Sequence, residues 1–426
     1  MDFFINILFA PFFKLINVLK TKEWLALILI FIINFVVKLA FIRFSDINLN
    51  ENIEIDTIHK SILNSSTNPI GWKVFEPFHK ITLLFWSKIS NNSAYGLRSL
   101  NVLLISLVAS QLFKFINKYV NFRTACWVSL FYFINNSINY SSLNIGSNAL
   151  ILTLSFISSF YFLELYYTPG IKNAISLGVV NAVLFYTCNA YVGLILAQLF
   201  LSFFLFRTNY KLFALSLGIV LTGCNYWLIR YFIKNKVLTS QFSIGIDSEN
   251  VKLFFYENFG DYFFFNVLLA ITVIVILNVY VKKLNEQITK QNSVVFLYFF
   301  VFFILYFIFI FKSKFANYHL LENKSNLFLT LTLTVILGFI FGYTKFNSKI
   351  NVLTFMLVLI VFLPGLKLVL DKNSHSKVMI NGINKAQDNK TAFFCCNYFP
   401  NGYYLSLATI RYPTQIIGFS NKKCFT

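Results

Sequence analysis

Long apolar segments recur along almost the whole chain, and they constrain its fold more than any other feature. The first, residues 24–44, is long enough to cross the hydrocarbon layer of a bilayer, which takes about 20 apolar residues. The 426 residues are 57% hydrophobic and only 12% charged, whereas soluble domains are closer to about 25% charged. A chain of this length could hold two or three soluble domains, but this composition instead predicts an all-α polytopic membrane protein.

The apolar segments predict about 11 transmembrane helices. They are residues 24–44, 97–116, 124–138, 149–167, 174–188, 191–206, 212–232, 262–281, 293–311, 327–343 and 352–370. No internal repeat is visible, which argues against an inverted-repeat transporter. Residues 1–22 lack the basic start and the small-residue cleavage site of a signal peptide, and an interfacial helix on the cytoplasmic face is expected there.

Charge sets the predicted orientation. The 36 lysine and arginine residues outnumber the 16 aspartate and glutamate residues, but they lie between apolar segments rather than on a soluble domain. This argues against nucleic-acid binding and favours membrane lipids, including an anionic or phosphorylated lipid, as partners. With the N-terminus inside, loops 45–96, 233–261 and 312–326 fall on the extracytoplasmic side. We therefore predict a multi-pass inner-membrane protein with a transmembrane domain at 1–371 and a small extracytoplasmic tail at 372–426.

The hydrophilic loop 45–96 is the first candidate for polar chemistry, as the rest of the chain has few acidic groups. Ile55, Ile58 and Ile62 have the spacing of one helix face, which predicts a juxtamembrane helix on the outer membrane surface. A solvated polar face is the simpler explanation for two of the acids, Glu54 and Asp56. The acidic residues of this loop are Asp46, Glu51, Glu54, Asp56 and Glu76.

A second polar group lies at the end of the same loop. Glu76, His79 and Lys80 occur within five residues, and such side chains hold a divalent cation or a phosphate. Glu76 and His79 alone supply two of the three or four ligands that a metal site needs. The alternative is a turn at Pro77 before an apolar re-entrant stretch, residues 81–86.

Five short motifs follow one another along the chain, and together they carry a family resemblance. They are Asn50-Glu51 after the first span, Phe75-Glu76-Pro77-Phe78, Gly96-Leu97-Arg98-Ser99-Leu100 at the start of a span, the polar run 140–150 with Asn148, and Lys312 to Leu321. Their order and spacing resemble those of the C-type glycosyltransferases. The closest branch is that of the lipid A aminoarabinose transferase and the protein O-mannosyltransferases.

The resemblance implies an enzyme that transfers a sugar from a polyprenyl-phosphate donor to a lipid, glycan or protein acceptor, with one inversion at the sugar carbon. It implies that Glu51 is the general base, with Asp56 as a substitute, and that Glu76 positions donor or acceptor with a divalent cation. Asn50 and Asn148 occupy positions lining the substrate site. The side chains expected to bind the donor phosphate are Lys80, Arg98, Lys312 and Lys314, followed by Tyr318. For Arg98, interfacial anchoring is an equal alternative.

Two departures from the family pattern leave other functions open. Asn50 and Asn148 stand where the family has aspartate, and an amide cannot accept a proton as a general base does. The second hypothesis is therefore a non-catalytic relative that binds or transports a polyprenyl-linked glycan. A secondary transporter is less favoured, because Lys38, Glu164 and Arg230 lie near span ends and are expected to snorkel to the interface.

Overall fold

All regular structure that can be described in this chain is α-helical. The computed structural model describes residues 18–42, 77–90, 93–187, 192–205, 210–234, 258, 290–312, 326–343 and 358. The helices are α1 Glu23–Ile42, α2 Pro77–Ile89, α3 Ala94–Tyr119, α4 Phe122–Ile134, α5 Asn136–Leu143, α6 Asn148–Tyr167, α7 Ile171–Thr187, α8 Val192–Leu205, α9 Tyr210–Lys234, α10 Lys290–Lys312 and α11 Asn326–Tyr343.

The helices have the length and composition of membrane spans. Within the described part of the chain, Glu23–Ile42, Tyr95–Tyr119 and Asn148–Tyr167 are long and apolar enough to cross a membrane. Six further apolar helices have 10–17 residues. A helix satisfies its backbone groups internally, as the bilayer requires. The chain is therefore a polytopic membrane protein, as its sequence predicts.

The predicted spans correspond to these helices with one exception. Span 124–138 is wrong at its end, because α4 stops at Ile134 and the side chain of Asn135 caps a new helix, α5. The stretch 81–86, offered as a possible re-entrant segment after a turn at Pro77, lies inside α2. Proline at the first helical position fits, because its missing N–H is not needed there. Spans 262–281 and 352–370 and the tail 372–426 lie outside the described residues.

Helix α3 lies at the centre of the bundle, packed against α1, α4 and α6. On one side α6 packs against α7, and α7 against α9; on the other, α11 packs against α4 and α10. The core between them is aromatic, and it includes the fully buried rings of Phe113, Phe131, Phe162 and Phe299. This arrangement puts the start of α3 next to the end of α1 and the start of α6.

Two glycines bring α11 into close contact with α4. A methyl group added at Gly338 would lie 2.8 Å from the Cα of Val128, and one at Gly342 would lie 2.6 Å from the Cα of Thr124. Glycines four residues apart let two membrane helices approach at backbone distance. The pairing also fixes direction, since the end of α11 lies beside the start of α4.

A buried polar network joins α6, α7 and α8 in the middle of the bundle. The Ser158 hydroxyl donates to Asn181 Oδ1 at 2.5 Å, Asn181 Nδ2 donates to Gln198 Oε1 at 2.9 Å, and Gln198 Nε2 donates back to Ser158 Oγ at 2.8 Å. From α10, the Tyr298 hydroxyl donates to Ser159 Oγ at 3.0 Å. Each of these hydrogen bonds thus offsets part of the free-energy cost of burying a polar side chain in an apolar interior.

Glu164 lies in the last turn of α6, at the end of the bundle opposite α5, and is largely buried. Its carboxylate accepts hydrogen bonds from Lys118 Nζ at 2.8 Å and from the Tyr119 hydroxyl at 2.6 Å. Thr168 Oγ1 donates to the other carboxylate oxygen at 3.0 Å. These contacts join the last turns of α3 and α6. The structure does not describe the side chain of Arg230.

Alanine at Gly338 or Gly342 is expected to lower the thermal unfolding temperature of the purified protein. The added methyl group overlaps the α4 backbone, and overpacking of this kind costs about 1–3 kcal/mol. Gly218→Ala in α9 is the matched control, because no atom lies within 4 Å of its added methyl group. That variant is expected to be neutral or slightly stabilised through helix propensity. Equal effects at the three positions would contradict the close α4–α11 contact.

Candidate functional site

The ends of several helices meet at one end of the bundle, which we call the α5 end. Ile42, the last residue of α1, forms a buried cluster with Val102 of α3 and Leu143 of α5. Next to it, Leu83 of α2 packs with the start of α3 and with Ile145, just before α6. Side chains from α1, α2, α3, α5 and α6 are therefore close enough to form one site.

Helix α5 is a short polar helix buried among apolar ones. The Asn135 side chain accepts a hydrogen bond from the backbone N–H of Ile138 at 3.1 Å, and donates to Asn258 Oδ1 at 3.1 Å. Ser141 and Ser142 donate to backbone carbonyls one turn earlier. Asparagine and serine satisfy helix-end groups in this way, so α4 can end inside the bundle. Asn258 belongs to the predicted outer loop 233–261, and this one residue lies at the α5 end.

Lys38 of α1 points into the bundle rather than towards the lipid interface. Its side chain is 1% exposed, so the expectation that it snorkels is wrong. Its ammonium donates to Asn139 Oδ1 of α5 and lies 5.6 Å from the centre of the Phe133 ring. Asn139 Nδ2 in turn donates to the Phe133 carbonyl at 3.0 Å. A basic side chain buried at membrane depth marks a candidate functional position.

Asn101 of α3 holds the turn between α5 and α6. Its buried side-chain amide donates to the carbonyl of Asn144 and, at 3.0 Å, to the carbonyl of Gly146. These two carbonyls lie in the turn 144–147, between the end of α5 and the start of α6. One side chain thus fixes the path of the chain from the end of α5 to the start of α6.

The first part of α3 also anchors α2. The indole N–H of Trp86 donates to the Gly96 carbonyl at 2.9 Å and approaches Ser99 Oγ at 3.3 Å. Gly96 packs tightly, since an added methyl group would lie 2.5 Å from the Ser90 carbonyl oxygen. The predicted family motif at 96–100 therefore contacts α2, the helix that begins at Pro77.

Four residues predicted to bind substrate or metal lie at the α5 end. His79 and Lys80 are in the first turn of α2, and His79 is buried. Arg98, in the second turn of α3, is 3% exposed, which differs from the exposed position that interfacial anchoring requires. Asn148 is the first residue of α6 and is half-buried. The helix packing brings these residues, far apart in sequence, to one region.

The other predicted site residues lie outside the described chain, and their roles stay predictions. They are Asn50, Glu51, Asp56, Glu76, Lys314 and Tyr318, together with the side chain of Lys312. The predicted metal site also stays a prediction, because the structure describes His79 but not Glu76. Among the residues that the structure covers, no three His, Cys, Asp or Glu side chains are grouped to hold a metal ion.

Sequence reasoning missed Lys38, Asn101 and Asn139 as contributors to this end of the bundle. Lys38 carried a signal, since it is the one basic residue inside the apolar run of α1, between Glu23 and Ile42. For Asn101 and Asn139 the signal was weaker, because an isolated amide in a span is also common at ordinary helix contacts.

The fold of this chain is similar to that of a protein of known structure. The solved structure that shows this is ArnT from Cupriavidus metallidurans in the apo state, with a TM-score of 0.56 and 11% sequence identity. The match covers 91% of this chain and 68% of that chain. Neither protein-family models nor the sequences of curated proteins match the chain. The resemblance stated from the motifs is therefore confirmed at the level of the fold.

Replacing Asn101 by alanine is expected to destabilise the protein by about 1–3 kcal/mol, because two buried carbonyls lose their donor. Asn173→Ala is the matched control. Asn173 also donates to a backbone carbonyl, that of Thr168 at 2.9 Å, but it is exposed, so water replaces the lost bond. Thermal unfolding in detergent measures both. A loss at Asn173 as large as that at Asn101 would contradict the role of the Asn101 contacts.

Proposed function

We propose that this chain is a membrane glycosyltransferase that moves a sugar from a polyprenyl-phosphate donor to a lipid, glycan or protein acceptor on the extracytoplasmic face. The observation that carries the proposal is the fold shared with ArnT over 91% of the chain. Placement of Arg98, Asn148 and the first turn of α2 at one end of the bundle supports it. These positions come from three separate motifs of the family resemblance.

In the proposed reaction the leaving group is a lipid phosphate, so the protein has to stabilise a departing anion rather than create one. Positive side chains fixed in a water-poor site do this well. Arg98 and Lys80 supply such charge at the α5 end. Lys312 ends α10, and the short connection 313–325 leads to α11, which contacts α5. We assign Lys312 and Lys314 to the same donor phosphate.

Activation of the acceptor hydroxyl is assigned to Glu51. This residue follows the end of α1 by nine positions, and an extended chain of that length spans at most about 30 Å. Glu51 is thus within reach of Arg98 and Asn148 at the α5 end. In this proposal Asn148 orients a substrate group by hydrogen bonding, since its amide cannot take a proton. Asp56 is the substitute base, and Glu76 positions donor or acceptor, with a divalent cation if one binds.

A binding protein without transfer activity is the second candidate. It is favoured by Asn50 and Asn148, which replace two acids of the family pattern. Such a protein binds the polyprenyl-linked sugar saturably and releases no polyprenyl phosphate. Burial of Lys38 also removes part of one of the two arguments against an ion-coupled transporter, and a response to ion gradients in proteoliposomes would identify that function.

Glu51→Gln is expected to abolish release of polyprenyl phosphate from a polyprenyl-phosphate-sugar pool, with normal expression and donor binding. Loss of a general base lowers turnover by about 100-fold or more. The control is Glu54→Gln, which removes an acid of the same loop outside the assigned roles and keeps activity. Activity that survives Glu51→Gln would assign the base elsewhere. Saturable binding without release by the wild type would favour the binding protein.

Lys80→Gln is expected to raise the KM for the donor about tenfold, because a hydrogen bond to a charged group contributes about 1.5–3 kcal/mol at most. The matched control is Lys88→Gln, at the exposed last turn of the same helix. Titration of initial rates with donor measures both. Equal KM values for Lys80→Gln and the wild type would remove Lys80 from the phosphate site.

A further inference from the structure

We propose that Lys38 is a positioning residue that, through Asn139, latches α5 to α1. Together with the Asn101 contacts, this latch sets the place of turn 144–147 and the start of α6. The effect of the latch on sugar transfer rests on the proposed function, whereas the effect of the latch on the geometry of the α5 end does not.

The first argument is the cost of Lys38. An ammonium group buried at membrane depth is expensive, and its partner here is a neutral amide rather than a carboxylate. Apolar side chains of similar volume commonly stabilise a protein as well as, or better than, a buried polar pair. Stability alone is therefore a poor reason for a lysine at this position, whereas a directed hydrogen bond specifies one position for α5.

The second argument is the orientation of Asn139. Its Nδ2 donates to the carbonyl of Phe133 in the last turn of α4, which turns Oδ1 towards Lys38. The same amide therefore contacts α1 and the end of α4 while belonging to α5. A shift of α5 along either neighbour breaks one of the two hydrogen bonds.

The third argument is where the Asn101 contacts lie relative to the Lys38 contact. Lys38 acts on the middle of α5, and Asn101 acts on the carbonyls of Asn144 and Gly146 after its end. The segment from Asn139 to Gly146 is thus held at both ends, by α1 and by α3. Asn148 follows two residues later, so its position depends on both contacts.

Backbone hydrogen exchange, read by mass spectrometry on the purified full chain, tests the latch. Lys38→Met, Asn139→Leu and the double variant are each expected to raise exchange in peptides covering α5 and turn 144–147 about tenfold, the size of a lost hydrogen bond to a charged group. The double variant is expected to show no further increase over Asn139→Leu, because that change already removes the Lys38–Asn139 hydrogen bond. Lys38→Arg, which keeps a donor, is expected to retain most of the protection.

Gln198→Leu is the control, because it breaks a buried network of similar kind between α6, α7 and α8. It is expected to leave exchange in α5 unchanged. Unchanged exchange in α5 for Lys38→Met and Asn139→Leu would overturn the proposal. Recovery of protection in the double variant would also overturn it, since that result marks a pair that only offsets its own burial cost. Should Lys38→Met fail to fold, Asn139→Leu and Asn139→Ser carry the same test.

Sugar transfer gives a separate measurement. The latch variants are expected to lower kcat about tenfold and to leave the donor KM unchanged, because the latch acts on geometry and touches no substrate. If the wild type transfers no sugar, the proposed function fails and the exchange data still decide the latch. If exchange rises while kcat stays unchanged, the latch holds α5 but does not position the site.

Discussion

The hydrocarbon core of a bilayer contains no hydrogen-bond partners, and the structure of the whole bundle depends on this one constraint. Backbone groups are satisfied within helices, and several buried polar side chains pair with one another where helices meet. The backbone leaves the helical pattern inside the protein at the break between α4 and α5 and again in the turn between α5 and α6. Asn135 caps α5 at the break, and Asn101 donates to two carbonyls in the turn. Irregular backbone at membrane depth is tolerated only when buried in protein in this way.

Buried polar contacts sort by position along the bundle. At one end Glu164 pairs with Lys118, in the middle Asn181 and Gln198 close a neutral network, and at the α5 end Lys38 contacts Asn139. The first two groups contain matched partners. The α5 end differs in holding two buried basic side chains, Lys38 and Arg98. Basic side chains in a poorly solvated region would favour the phosphate-bearing donor of the proposed function.

The sequence predicts the helices well and the interior contacts poorly. The length of an apolar segment is enough to predict a span such as α6, whose predicted and observed bounds differ by one residue. It fails at Asn135, because the hydropathy of α4 does not show that the following polar residues form a separate helix, α5. Lys38 lies within a turn of the end of α1, where a flexible lysine usually reaches the interface, and only the presence of α5 directs it inward.

For the candidate site, too, the sequence predicts which residues belong to a motif but not which residues contact one another. Arg98 and Lys80 could be named from the sequence, because the order of short motifs indicates which helix ends carry them. The hydrogen bonds of Asn101 could not, since they join residues more than 40 positions apart and depend on how α3 and α6 pack. Sequence spacing reports which residues share a helix face, but it carries no information on which helices are neighbours.

The neutral network also has a consequence for how the protein is made. Ser158, Asn181 and Gln198 satisfy one another with side chains from α6, α7 and α8 alone, and these helices are consecutive in the chain. They can leave the insertion machinery as a unit with its polar groups already paired. Tyr298 arrives on α10 about a hundred residues later in synthesis, and it docks onto a surface that is already complete.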